Sequence, residues 1–194
     1  MEDKKIRLGV SSCLLGNTVR YNGGHQLDRF IAETLGSYVE FVPVCPEVEC
    51  GLGVPRESMR LVGTMEDPRL LASKSGTDYT DKMLTWSHEK VKELESENLS
   101  GFIFKSKSPS SGMERIRVYR PDKKAFVGKR PGLFARIFME HFPLLPVEDD
   151  GRLHDIGLRE NYIEQLFVYR RWQNVTTGKV TRNGLVTFHT EHKL

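Results

Sequence analysis

The chain is poor in several things that would direct a first reading. Its 194 residues include only three cysteines and two tryptophans. No apolar run approaches the roughly 18 residues that cross a bilayer, which excludes a membrane-spanning helix. The opening Met1-Glu2-Asp3-Lys4-Lys5 lacks the apolar stretch of a signal peptide. No internal repeat or low-complexity tract is present. The formal net charge of +3 lacks the global basic excess of a nucleic-acid binder. The expectation is a cytoplasmic protein in a reducing compartment, where thiols persist as ligands or nucleophiles. Disulfide pairing would leave one of the three cysteines over.

Apolar residues, at 38%, are sufficient for a core. The charge is uneven. From Lys105 to Arg130, nine Lys or Arg face only Glu114 and Asp122, a local +7 that leaves −4 for the rest of the chain. Such a run reads either as a solvated loop and hairpin or as a funnel for an anionic, nucleotide-like substrate.

Apolar spacing predicts a strand at 6–10, a helix through Leu27, Phe30, Ile31 and Leu35, and a strand at 39–44. This is a βαβ unit, whose crossover joins parallel strands. A small β excursion is expected at 60–62 and 69–72, and a long helix from about 77 to 98. A buried strand follows at 101–105, then an edge strand at 115–119, a helix at 131–142 and a last strand at 143–147. Glu148-Asp149-Asp150-Gly151 reads as a polar break. Beyond it the spacing is helical, and a further helix begins near 181. The expected fold class is α/β: a three-layer, Rossmann-like, mostly parallel sheet over residues 1–150, with a short C-terminal helical extension over 151–194.

In open parallel sheets, ligands bind beyond the carboxyl ends of the strands. The notable loops follow strand ends. Cys13 follows the first strand, and Cys45 and Cys50 follow the second. Ser106-Lys107-Ser108-Pro109-Ser110-Ser111-Gly112 follows the third. Three converging thiolates would form a metal site with one position open to a substrate. Thiolates suit zinc and iron–sulfur clusters alike, and the spacing leaves these two equal. His25, flanked by glycine, reads as a loop residue more readily than as a fourth ligand. His189 and His192 lack a third partner and read as surface residues.

These residues carry a resemblance. Ser11-Ser12-Cys13-Leu14-Leu15-Gly16 with Val19 to His25, then Cys45-Pro46-Glu47 with Gly51 to Arg56, then Lys105 to Gly112, resemble the thiouracil desulfidase family, formerly the domain of unknown function numbered 523. The resemblance spans about Lys5 to Val147. Residues 159–194 resemble the opening of a domain of unknown function numbered 1722, here expected to be truncated.

The resemblance implies a [4Fe–4S] cluster on three cysteines and the non-redox removal of sulfur from thiolated pyrimidines. Cys13 and Cys45 match two family ligands. The third family ligand lies in a Ser-Pro-Ser-Cys-Gly loop, where this chain has Ser111. Cys50 is expected to replace it; otherwise it is a small buried hydrophobe. Glu47 matches the family's catalytic glutamate and is the candidate for proton transfer. Ser108 and Ser110 are candidates to orient water or a pyrimidine edge, beside the turn-forming role usual for serine next to proline. Lys105 and Lys107 are expected to offset cluster charge and, with Arg56 and Ser111, to contact substrate. Ser12 and the backbone at Gly51 are expected near cluster sulfur. A small thiolated nucleobase is the expected partner, ahead of thiouridine in RNA. A zinc or iron–sulfur module without catalysis is the alternative.

Overall fold

The computed structural model describes residues 6–122, 124–177 and 179–192. Its first sheet is wholly parallel, in the order β2-β1-β5-β8. These strands are β1 (Ile6–Ser11), β2 (Val39–Val44), β5 (Gly101–Phe104) and β8 (Val147–Asp149). The second sheet, in the order β4-β3-β6-β7, is mixed. It holds β3 (Met59–Gly63), β4 (Pro68–Ala72), β6 (Ile116–Tyr119) and β7 (Phe126–Arg130). The helices are α1 (Pro46–Glu49), α2 (Thr80–Glu95), α3 (Leu133–His141), α4 (Ile156–Thr176) and α5 (Arg182–Glu191).

Side chains alternate across a strand, so the first sheet builds two cores. On one face Leu8, Val10 and Ile103 pack with Leu14, Ile31, Leu35 and, from α4, Tyr162 and Leu166. On the other, Phe102 and Phe104 pack with Val91 and Leu94 of α2 and Phe134, Ile137 and Phe138 of α3. The Phe102 and Phe138 rings are 4.6 Å apart, and the Phe104 and Phe138 rings meet edge-on at 5.5 Å. Helix, sheet and helix make the three expected layers. Gly9 is required where it stands, because a Cβ there would overlap the Phe102 ring. Gly101 likewise leaves room for the Leu166 side chain of α4. The α4–α5 pair is itself joined by Trp172 against Phe188, with ring centroids 5.4 Å apart.

Four expectations need correction. The helix predicted around Leu27–Leu35 is a π turn over Phe30–Thr34 followed by a 3-10 turn over Leu35–Ser37. Ile31 and Leu35 are buried as its spacing requires, but Leu27 lies outside it and is exposed. The strand expected at the edge over 115–119 is interior, because β7 pairs antiparallel with it and takes the edge. The last parallel strand is shifted to Val147–Asp149. The acidic run read as a polar break is therefore buried structure: each carboxylate has a partner. Glu148 accepts from Arg152 Nε, Asp149 from Arg152 N–H, and Asp150 from Lys105.

Candidate functional site

The carboxyl ends of β1, β2 and β5 lie side by side, and the turns leaving them enclose a cavity of about 450 Å³. Ser11, Ser12, Cys13, Cys45, Glu47, Arg56, Lys105, Lys107, Ser108 and Ser111 all line it.

Cys13 sits in a 3-10 turn, Ser12–Leu15, that ends at left-handed Gly16. The turn is tied down through the Cys13 carbonyl, which accepts from Gly16 and Gln26 N–H, and through Ser12 Oγ, which accepts from Asn17 at 2.8 Å. Cys45 holds the N-terminal flank of α1, with Pro46 in its first turn, where a missing N–H costs nothing. Glu49 reaches back to accept from Cys45 N–H at 2.7 Å. Burial pushes the Cys13 thiol up to about 11, with Lys105 opposing the rise. Burial, reinforced by the Glu47 charge, pushes Cys45 up to about 12.

Glu47 is the centre of the polar network. Its Oε1 accepts from Ser110 Oγ at 2.5 Å and from Ser108 Oγ at 3.3 Å. Its Oε2 lies 3.9 Å from Arg56 Nη2 and 3.8 Å from Cys45 Sγ. Glu47 and Arg56 side chains are both 12% exposed, so their attraction is little screened by solvent. Arg56 is anchored by donating to Val19 carbonyl at 3.0 Å. The Ser108–Ser111 loop is held by its own hydroxyls: Ser108 and Ser110 share a hydrogen bond of 2.9 Å, and Ser111 N–H donates to Ser108 Oγ at 3.1 Å.

Asp150, which sequence reasoning missed, lies outside the cavity lining but holds two residues that form it. Lys105 Nζ lies 2.6 Å from Asp150 Oδ2, and Ser106 N–H donates to Oδ1 at 2.7 Å. Burial alone would raise the Asp150 carboxyl, but these hydrogen bonds and the Lys105 charge outweigh it, and the group lies below its ordinary range. The available signal was its place just past the carboxyl end of a parallel strand.

Two expected site residues are elsewhere. Cys50 ends α1 facing Leu52, Leu61, Leu70 and Met83, and its thiol donates to Glu47 carbonyl at 3.4 Å. Gly51 has φ 83°, and its carbonyl accepts from Lys82 at 3.1 Å; it does not line the cavity. His25 Nδ1 accepts from Leu27 N–H in an exposed loop. Among the described residues, no three of His, Cys, Asp and Glu are grouped to hold a metal ion. The three-cysteine set therefore does not fit a cluster. The cavity offers two thiols with oxygen donors around them.

A second cavity, of about 840 Å³, shares Ser58, Met59, Ser106, Lys107 and Pro109 with the first. Its lining includes Arg60, Arg115, Arg117, Lys129 and Arg152, against Glu114 and Asp149.

Residues 8–150 match the family model described as 2-thiouracil desulfurase. An uncharacterized protein of Bacillus subtilis (strain 168), YbbK, is 33% identical over 108 residues, which are 53% of this chain and 71% of that one. A solved structure described as the [4Fe-4S]-dependent thiouracil desulfidase TudS matches with a TM-score of 0.63. It is 24% identical, over 81% of this chain and 99% of its own. This last likeness establishes the fold.

Proposed function

Because the chain belongs to the 2-thiouracil desulfurase family, we propose that its first cavity binds a small thiolated pyrimidine and replaces the thiocarbonyl sulfur with oxygen from water. The single observation that carries this reading is Glu47: a carboxylate held by Ser110 and Ser108, in one cavity with Cys13 and Cys45.

The overall change is hydrolytic. Water adds to the thiocarbonyl carbon, the C–S bond breaks, a C=O bond forms, and sulfur leaves as hydrosulfide with no net electron transfer. Glu47 accepts the water proton and returns a proton to the departing sulfur or the ring nitrogen. Ser110 and Ser108 fix the direction of its free lone pairs, which is what proton transfer over hydrogen-bond distance demands. Arg56 holds the carboxylate from the other side. Lys105 and Lys107 supply positive charge where sulfur becomes anionic. In this reading Cys13 and Cys45, with Ser12 in the same cavity, would hold the iron–sulfur cofactor. Such a cluster, when bound, supplies Lewis acidity toward sulfur.

The test is the anaerobically purified chain, loaded with ferrous iron and sulfide and given 2-thiouracil. Uracil and hydrosulfide are expected in equal amounts. No turnover, or one tightly bound zinc with no turnover, overturns the reading in favour of a structural module.

The adjoining basic cavity favours a second reading, in which the thiolated base is presented within RNA. Its phosphates would be drawn to Arg60, Arg117 and Lys129. In that case Lys129→Glu with Arg117→Glu slows desulfuration of thiouridine-containing RNA, steeply with salt, and leaves 2-thiouracil turnover unchanged. Equal rates on RNA for the variant and the parent chain exclude this reading.

A further inference from the structure

On the reading that the first cavity desulfurates a thiolated pyrimidine, we infer that Tyr21 is the platform on which the pyrimidine ring stacks. It is therefore the residue that makes this cavity select a flat heterocycle over an open-chain thioamide.

Tyr21 is the single aromatic side chain lining that cavity among the described residues. Lys105, Lys107, Arg56 and Glu47 respond to charge, and the serines to hydrogen-bond donors and acceptors. None of these groups separates a ring from an open-chain compound that carries the same N–C=S edge. A π face does, because every nucleobase offers a face to stack on it.

The ring stands on a built turn. Gly23 N–H donates to the Arg20 carbonyl at 2.9 Å, and Arg20 N–H to the Gly24 carbonyl at 3.1 Å, with Tyr21 and Asn22 at the tip. Gly23 has φ 76°, a left-handed conformation that glycine adopts without a Cβ penalty. Two further bonds fasten the turn to the cavity walls. Gln26 N–H donates to the Cys13 carbonyl at 2.9 Å, and Arg56 N–H to the Tyr21 carbonyl at 2.7 Å. The backbone of Tyr21 is thus tied to the residue that faces Glu47. The Arg20 guanidinium lies over one face of the ring, 5.7 Å from its centre, and donates to Gln26 Oε1 at 2.9 Å. One face is left for a ligand. Tyr21 is 44% exposed and belongs to none of the three core clusters, so core packing does not account for an aromatic here.

The experiment compares the full chain with Tyr21→Leu and Tyr21→Phe. Turnover of 2-thiouracil by the iron- and sulfide-loaded proteins gives kcat and KM. Calorimetric titration of uracil gives a dissociation constant that requires no chemistry. In Tyr21→Leu, KM and the uracil constant should rise together by about 5- to 100-fold, the span of one lost base–aromatic stack. Its kcat should stay within about twofold, because stacking is made equally before and during the reaction. Tyr21→Phe keeps the ring and should bring both constants back to within about twofold of the parent. Thiourea, which has the N–C=S edge without the ring, should inhibit the parent and Tyr21→Leu equally. Constants for Tyr21→Leu equal to those of the parent overturn the inference and leave the desulfuration reading standing. So does a fall in kcat with KM unmoved, a Tyr21→Phe that fails to restore binding, or a thiourea constant that rises in parallel. A parent chain that binds uracil through Tyr21 yet releases no hydrosulfide overturns the desulfuration reading alone. One that binds no uracil overturns the inference.

Discussion

Ser110 Oγ donates to Glu47 Oε1 at 2.5 Å across 63 positions of sequence, fastening the loop after β5 to the short helix after β2. The two loops are brought together only because β1 separates their strands by a single position in the sheet. This bond makes Glu47 part of a fixed constellation instead of a mobile surface acid.

Glu47→Gln should therefore keep the fold and lose the reaction. The amide still accepts from Ser110 but takes up no proton from water. A fall of about 10²–10⁴-fold in hydrosulfide release from 2-thiouracil is expected, the range of general acid–base catalysis. The circular-dichroism melt should be unchanged. Turnover within a few-fold of the parent would remove Glu47 from the chemistry.

Asp150 gives the stability a defined acid limb. Its folded carboxyl titrates below the ordinary value, so its contribution is complete above about pH 4 and is lost as pH falls through the folded value. Asp150→Asn should cost about 1–3 kcal/mol at pH 7, since Lys105 keeps a hydrogen bond but loses its counter-charge. The gap between variant and parent should close as pH drops below 4. Urea unfolding at pH 7, 5 and 3 measures it; a gap of constant size would show that the Lys105 pair contributes nothing through charge.

Much of this was readable from the residues, and the failures have physical causes. Ile6–Ser11, Val39–Val44 and Gly101–Phe104 are apolar runs bounded by turn residues, and burial on both faces makes such strands legible. The site loops were then placed by the rule that ligands gather at strand ends. Asp150 was passed over because three consecutive acids look solvated until their cationic partners, Lys105 and Arg152, are seen in space. Cys50 was misdirected for a different reason. A residue's distance from a ligand along the chain says nothing of which way a four-residue helix will turn it.

Gly132 carries a constraint on the Ser108–Ser111 loop. A Cβ there would stand 2.6 Å from the Ser110 carbonyl carbon and 2.8 Å from the Pro109 oxygen, both backbone atoms that have no rotamer to escape into. Gly132→Ala should cost about 1–3 kcal/mol by overpacking and should also displace Ser110 from Glu47. Stability from urea titration and turnover are expected to fall together. A variant that is destabilised yet fully active would disconnect the loop from catalysis.

Phe138 holds the opposite side of the sheet. It touches Phe102, Phe104, Phe134 and Phe142 and is fully buried. Phe138→Ala should cost about 3–5 kcal/mol in chemical denaturation, the usual range for deleting a buried ring. A loss below 1 kcal/mol would mean that α3 settles into the void.

The hollow that Gly101 leaves for Leu166 has a bearing on where this protein can be cut. The family match ends at residue 150, but Tyr162 and Leu166 of α4 belong to the same cluster as Leu8 and Val10. Gln173 also donates to the Leu99 carbonyl and accepts from Ser100 at the start of β5. A fragment trimmed to the matched segment would keep Leu14, Ile31 and Leu35 on that face but open the part of it that Tyr162 and Leu166 cover. The stretch that defines kinship and the stretch that folds as a unit thus have different ends.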